Sequence, residues 1–282
     1  MRKLLKKSTR TAKFGLVIIL LWLICAIFAP LLAPYGPNDV DIMKRFVPPA
    51  WQEGGSSEHL LGTDEMGRDV LSRLVYGSRV SFVVGVMSVV FSMVLGTSLG
   101  LLAGYCGGWV DTVIMRAVDV MLSFPFIFMA LLLMSVLGSS LTNVILVLGI
   151  TGWVPYTRTI RAQTLSLKER EFVTASDTSG CSSFRIVFRH ILPNVIDNAI
   201  ILGTLEMATA IMAEASLTFL GLGVPPSVPT WGNMIATGRQ YIYTSWWLTT
   251  LPGIVIFLVC LSINFVGDWV RDIRDPRLRG SN

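Results

Sequence analysis

Two stretches of this chain have no place in a water-soluble core. Phe14–Ala33 runs for 20 residues and Val80–Tyr105 for 26 without a charged side chain. About 20 apolar residues in a helix cross the hydrocarbon of a bilayer. In lipid each backbone N–H and C=O must be satisfied within the protein, which restricts spanning structures to helices and closed barrels. Composition agrees: 52% of residues are hydrophobic, mean hydropathy is +0.64, and 15% are charged, against about 25% in soluble domains. The expected fold class is an all-α integral membrane protein.

Reading apolar runs against polar interruptions gives about six spans. A basic segment, residues 1–13, precedes the first span at 14–33. A basic start before an apolar run also describes a signal peptide. This run is longer than a signal core and more spans follow, so it is read as a transmembrane helix. Residues 34–79 form a polar segment rich in Pro and Gly. The second span is Val80–Tyr105, and a short link, Cys106–Met115, leads to a third that ends near Gly138. The fourth is Leu141–Ile160. A charged segment, 161–194, separates it from the fifth, Val195–Leu222. Gly223–Ser245, with Pro225, Pro226 and Pro229, reads as a loop with one short helix. The sixth span is Trp246–Val270, and residues 271–282 form a basic tail.

Charge gives the sidedness. Lys and Arg favour the cytoplasmic side of short loops. With the N-terminus inside, the inner segments together with Arg116 and Arg158 at the inner ends of their spans hold 17 of the 23 basic residues, leaving Lys44, Arg45, Arg68, Arg73, Arg79 and Arg239 outside. Both termini are expected in the cytoplasm, and 34–79 is extracytoplasmic. The chain then divides into the basic N-terminus, the first span, the outer segment and a core at 80–282. The basic residues form no stripe interleaved with aromatics, which argues against nucleic acid as a partner. Cys25, Cys106, Cys181 and Cys260 make no disulfide framework or zinc pattern. His59 and His190 are too far apart in sequence to suggest a metal cluster. No phosphate-binding loop is present, so no cofactor and no catalytic residue are expected in this chain.

The cytoplasmic segment 161–194 is longer than a helical hairpin needs. Leu165–Ser179 reads as one helix, with Gly180 suited to the left-handed position that ends it. Ser182 or Ser183 can cap a second helix. In it Phe184, Val187, Phe188 and Ile191 recur at helical spacing, and Pro193 is expected to stop it before the membrane. Two short helices at a sharp angle make a knob that suits a cytosolic partner; an interfacial helix on lipid headgroups is the plainer reading.

Here a resemblance becomes specific. Glu171-Phe172-Val-Thr-Ala175-Ser176-Asp-Thr-Ser-Gly180, followed by Ile191-Leu192-Pro193-Asn194, resembles the coupling loop of ABC importer permeases. Ser176 stands where that pattern has a second Ala, and Asp177 where a neutral or basic residue is usual. Leu61–Arg73 with Gly77–Ser81, Ala215–Gly223 with Pro229–Gly232, and Phe265–Asp272 with Asp275-Pro276 resemble segments of the dipeptide, oligopeptide and nickel permeases, in the C-type or second subunit. The resemblance implies a type I importer permease fold in the bacterial inner membrane. It implies a B-type permease partner in a heterodimer, two ATPase subunits or domains that carry ATP and Mg, and an extracytoplasmic solute-binding protein. The implied solutes are peptides or related compounds, with nickel, metal chelates and glutathione also fitting. Glu171, Phe172, Ala175, Ser176, Gly180, Leu192 and Pro193 would form the coupling loop.

Other features follow from the residues. Ser88, Ser92, Gly96, Gly100 and Gly104 recur every fourth position, and such stripes let helix backbones approach closely in lipid. Pro125, Pro155 and Pro252 fall in spans and are candidate kinks. Asp119, Glu206 and Glu214 lie in or near spans, where charge is costly and must face protein or water. Arg116 is a ready partner for Asp119. Glu206, Thr209, Ala213 and Glu214 are the candidates for lining a translocation path, with a structural hydrogen bond or ion pair as the alternative. Asp64 is expected to cap an interfacial helix that begins near Glu65. A proton-coupled secondary transporter using the acidic residues is the alternative function, and a membrane scaffold a third.

Overall fold

The computed structural model describes residues 10–274, and among them no strand forms beyond one isolated bridge, Thr63 to Asp69. The first helix, α1 (Arg10–Leu32), is 23 residues long and bends near its end, where Phe28 departs from helical geometry two residues before Pro30. A polar stretch leads to α2 (Val70–Cys106), a helix of 37 residues. At 1.5 Å per residue it is about 55 Å long, well beyond a bilayer's hydrocarbon thickness. It therefore extends ten residues earlier than the expected second span. Its cap is Asp69, which accepts from the Ser72 N–H at 2.7 Å. Asp64 does not start a helix. Its carboxylate instead takes the N–H groups of Met66 and Arg68 and holds a tight turn.

The third expected span is two helices, α3 (Gly108–Ser123) and α4 (Phe126–Leu137), bent by 93°. Pro125 is the cause: it pushes the residue before it out of the helical region, and Phe124 sits at φ −109, ψ 134. The fourth also breaks, into α5 (Leu141–Thr151) and α6 (Val154–Lys168). Pro155 has no N–H to give Thr151, so the chain restarts with Pro155 in the first turn of α6. Among the described residues four helices are fit by length and composition to cross a membrane, or five if the bent pair is one span.

After α6 comes α7 (Glu171–Thr178), then a continuous helix, α8 (Ser183–Phe219). The expected single helix Leu165–Ser179 is thus interrupted at Glu169 and Arg170. Pro193 does not stop the second helix either. The stretch Ile186–Ile191 widens to π geometry, and Leu192 N–H reaches back to the Val187 carbonyl. One extra residue in the turn accommodates a residue that cannot donate. The loop after α8 holds the short helix α9 (Trp231–Gly238), and α10 (Trp247–Arg274) closes the bundle with Pro252 inside it.

The small-residue stripe packs helices together. A Cβ on Gly96 would lie 2.4 Å from the Trp153 carbonyl, and one on Gly104 2.7 Å from the Thr164 side chain. Thr157 Oγ1 donates to the Gly96 carbonyl at 3.0 Å, and Ser92 Oγ to the Gly149 carbonyl at 2.9 Å. From Ser92 to Gly104 the stripe lies against α5 and α6. At the Val70 end, three indole N–H groups bolt backbone segments together. Trp22 donates to the Ser78 carbonyl, Trp231 to that of Leu74, and Trp247 to that of Thr63. The polar segment folds in the same manner: Arg68 donates to Asp64 and Glu65, and Arg73 donates to the Pro37 carbonyl. The Leu61–Arg73 motif is therefore largely buried architecture.

Candidate coupling element and intramembrane crevice

The segment between α6 and α8 is a small helix held by one residue. In α7 only Val173 is buried, at 3% exposure. It packs in a cluster with Leu101, Ile160, Leu167, Ile186, Ile191 and Val195. Glu171, Phe172 and Ala175 face outward and Ser176 is half-buried. The Ser176 hydroxyl donates to the Phe172 carbonyl at 2.7 Å, so the polar group at this position is satisfied inside α7. Gly180 sits at φ +80, a conformation that side chains with a Cβ resist. Nothing stands within 4 Å of where its Cβ would be, so the requirement there is backbone conformation, not space. Ser182 accepts from the Arg185 N–H and begins α8.

The first turns of α8 continue the outward surface. Phe184 is 72% exposed and Phe188 51%, and their rings meet with centroids 4.4 Å apart, tilted by 35°. Of the remaining expected coupling residues, Leu192 is half-buried and Pro193 exposed. Phe184 and Phe188 were legible only as members of a helical period, and their exposure could not be read from spacing. Sequence reasoning also missed the clamp behind the element. Arg161 on α6 holds Asp111 on α3 through two hydrogen bonds, one to each carboxylate oxygen.

The four path candidates separate into two places. Glu214 is 1% exposed. Its Oε1 accepts from Thr218 Oγ1 at 2.9 Å, its Oε2 is buried without a hydrogen bond, and the Thr230 side chain adjoins the same carboxyl group. Thr230 caps α9 and Thr218 Oγ1 accepts from the Val224 N–H. Glu214 thus sits inside the joint between α8 and the loop that follows it. Ala213 is buried in a neighbouring apolar cluster with Val84 and Leu217.

Glu206 and Thr209 lie elsewhere. Glu206 is half-buried and Thr209 exposed, and both line a narrow crevice with Ser88, Ser92, Phe126 and Tyr156. Tyr156 Oη and Ser88 Oγ are buried there without a hydrogen-bond partner. Tyr156 comes from α6, one of the helices that meets the small-residue stripe; the sequence offered no signal that it would join Glu206. Two unpaired hydroxyls and a carboxylate in an apolar setting are costly to leave dry. Such a group can hold water or a cation.

Asp119 and Arg116 are 3.9 Å apart, with side chains 62% and 79% exposed. The pairing read from sequence exists, but on an open face.

Comparison with known proteins gives the geometry a lineage. Residues 96–280 match the family described as binding-protein-dependent transport system inner membrane component. Residues 3–49 match the N-terminal TM domain of oligopeptide transport permease C. The di/tripeptide transport system permease protein DppC of Pseudomonas aeruginosa is 43% identical over 267 residues, covering 95% of this chain and 88% of that protein. The dipeptide transport system permease protein DppC of Haemophilus influenzae is 40% identical over 273 residues, covering 97% and 92%. Among solved structures, the inward-facing MetNI methionine ABC transporter superposes with a TM-score of 0.57 at 20% identity, covering 72% of this chain and 97% of that one. That likeness extends to the fold, the type I importer permease bundle. The chain is a multi-pass membrane protein of the binding-protein-dependent transport system inner membrane component family, and within it a C-type permease subunit.

Proposed function

We propose that this chain is the C-type permease of an ATP-driven importer that moves di- and oligopeptides inward across the bacterial inner membrane, with ATP hydrolysed on partner subunits. Peptides are preferred over nickel chelates or glutathione because the relatives at 40–43% identity are named for dipeptide and di/tripeptide transport. Both termini and the 161–194 segment lie on the cytoplasmic side in this reading, which the distribution of Lys and Arg favours.

One observation carries the proposal. The exposed helix α7 joins, through the left-handed turn at Gly180, a single 37-residue helix that also carries Glu206. A push on α7 by an ATPase subunit therefore reaches the crevice through one continuous rod. Glu171, Phe172, Ala175 and Ser176 supply the docking face, Gly180 the turn, and Leu192 and Pro193 the passage through the π segment. Nucleotide drives transport only if it favours one conformation of this rod over the other.

The second permease has its own support. Arg116 and Asp119 are exposed on one half of the bent helix pair that together is long and apolar enough to enter a membrane. Bare charge of that kind cannot face hydrocarbon cheaply. A partner subunit or an aqueous path must cover it. Glu206 and Thr209 are the path residues in this reading, and Glu214 with Ala213 braces the end of α8. An extracytoplasmic binding protein would deliver the peptide.

The test uses Glu171→Lys and Gly180→Pro in the assembled importer. Membrane insertion should persist, while ATPase association and peptide uptake both fall by an order of magnitude. Unchanged association and uptake would refute the coupling role.

A further inference from the structure

Where α2 and α8 part, close to the coupling element, they leave an open groove of about 390 Å³. Met93, Leu101 and Tyr105 of α2 form one wall, and Phe188, Leu192 and Ile196 of α8 the other. The walls are almost wholly apolar. The groove runs along the last turns of a helix long and apolar enough to cross a membrane, so in the reading above its long side faces the apolar phase.

Its Tyr105 end has the opposite character. Lys168 Nζ donates to the Tyr105 carbonyl at 2.7 Å and stands 5.3 Å from the centroid of the Tyr105 ring. The ammonium is exposed and keeps two further donors. Arg185 and Arg189 bracket the groove residue Phe188 and are exposed. Among the described residues neither has an acidic side chain within 4.0 Å. The segment 161–194 carries five basic and three acidic residues, so this rim is net positive.

An apolar slot with cations near one end, none of them ion-paired among the described residues, at a membrane boundary is complementary to a molecule with a hydrocarbon chain and an anionic head. We propose that the groove binds an anionic glycerophospholipid, with an acyl chain between α2 and α8 and the phosphate against Lys168, Arg185 and Arg189. The site uses the placement of residues 161–194 at the membrane boundary argued above. A protein helix is a poorer occupant. It would bury a ridged face along its whole length, whereas this slot gathers its charge at one end. Phe188 and Leu192 belong both to the groove and to the rod below Gly180, so the lipid becomes part of the wall against which the coupling element moves.

Cys106 lines the groove and is exposed, which makes it a reporter. The assembled importer, with Cys25 and Cys181 replaced by Ala, is reconstituted in phosphatidylcholine vesicles with and without phosphatidylglycerol. Maleimide labelling of Cys106 should slow at least fivefold when phosphatidylglycerol is present. Lys168→Glu with Arg185→Glu and Arg189→Glu should abolish the difference. Ser98→Trp, which fills the groove from an exposed wall position, should remove phosphatidylglycerol from the lipid that copurifies with the complex. Equal labelling in the two lipids overturns the proposal. So does protection that follows the second permease regardless of lipid, which would make the groove a protein interface. ATPase association is measured on the same samples. Its loss with lipid protection intact would count against the coupling role alone.

Discussion

Arg161 grips Asp111 side-on: Nη2 donates to Oδ2 at 2.6 Å, and Nε to Oδ1. The pair joins α3 to α6, two helices that a proline break separates from the helices beside them. Only a planar guanidinium makes both bonds at once; an ammonium of similar length makes one. The side chains are 28% and 20% exposed, so water screens part of the attraction. A double-mutant cycle of Arg161→Lys and Asp111→Asn, read by denaturant unfolding in detergent, should give a coupling energy of about 1 kcal/mol. Strict additivity of the two changes would mean that the clamp contributes nothing.

The small-residue stripe makes a sharper claim. A methyl group on Gly96 would meet backbone and Cβ atoms of Trp153 and Tyr156 at 2.4 and 2.6 Å, and neither can swing away. Gly96→Ala should therefore separate α2 from α6 and destabilise the fold by about 1–3 kcal/mol, the usual range for overpacking. Gly253 is the control, since nothing lies within 4 Å of its added Cβ and α10 continues through it. Gly253→Ala should be neutral or stabilising by up to about 1 kcal/mol from helix propensity. Thermal unfolding of the two variants side by side decides the matter; equal shifts would refute the packing account.

At Gly180 the demand is conformational. The backbone holds φ +80 with open space around it. Asn tolerates that region better than other non-glycine residues, and β-branched residues tolerate it worst. Uptake per inserted molecule should fall in the order Gly, Asn, Ala, Val, with Ala costing about 1–2 kcal/mol of local strain. Protein level should hold across the series, because a Cβ added at Gly180 meets nothing within 4 Å. An order set by side-chain size, with Asn below Ala, would point to a steric contact with a partner.

Much of this was legible in the residues. Gly180 as a left-handed stop, Ser182 as a cap, the stripe from Ser88 to Gly104 and the short helix after the fifth span all follow from local chemistry, which a sequence carries openly. The breaks at Pro125 and Pro155 and the passage through Pro193 did not follow as readily. Proline removes the same N–H in all three places. Whether the chain bends by 93°, restarts or widens into a π turn depends on which neighbours take up the freed carbonyl. Asp64 misled for a related reason: Asp64 and Asp69 both precede apolar helical spacing, and only the fold selects Asp69 as the cap. Glu206 and Glu214 look alike as acids eight residues apart. Their difference arises from Tyr156 and Thr230, which tertiary structure brings from other elements.

That difference can be measured. Glu214 accepts a hydrogen bond from Thr218 inside the joint with α9, and an amide oxygen accepts it equally well. Glu214→Gln should keep protein level and uptake close to normal. Glu214→Ala should lower both together, through a cavity and an unpaired Thr218 worth about 2–4 kcal/mol. Glu206 is half-buried in the crevice beside the unpaired Tyr156 and Ser88 hydroxyls, and no packing depends on its charge. Glu206→Gln should leave level unchanged and cut uptake per molecule at least fivefold, and Tyr156→Phe should act in the same direction with a smaller effect. Peptide uptake normalised to inserted protein separates the two acids. If Glu206→Gln transported normally while Glu214→Gln did not, the assignments of brace and path would have to be exchanged, and the rod from α7 would have to act on the far end of α8.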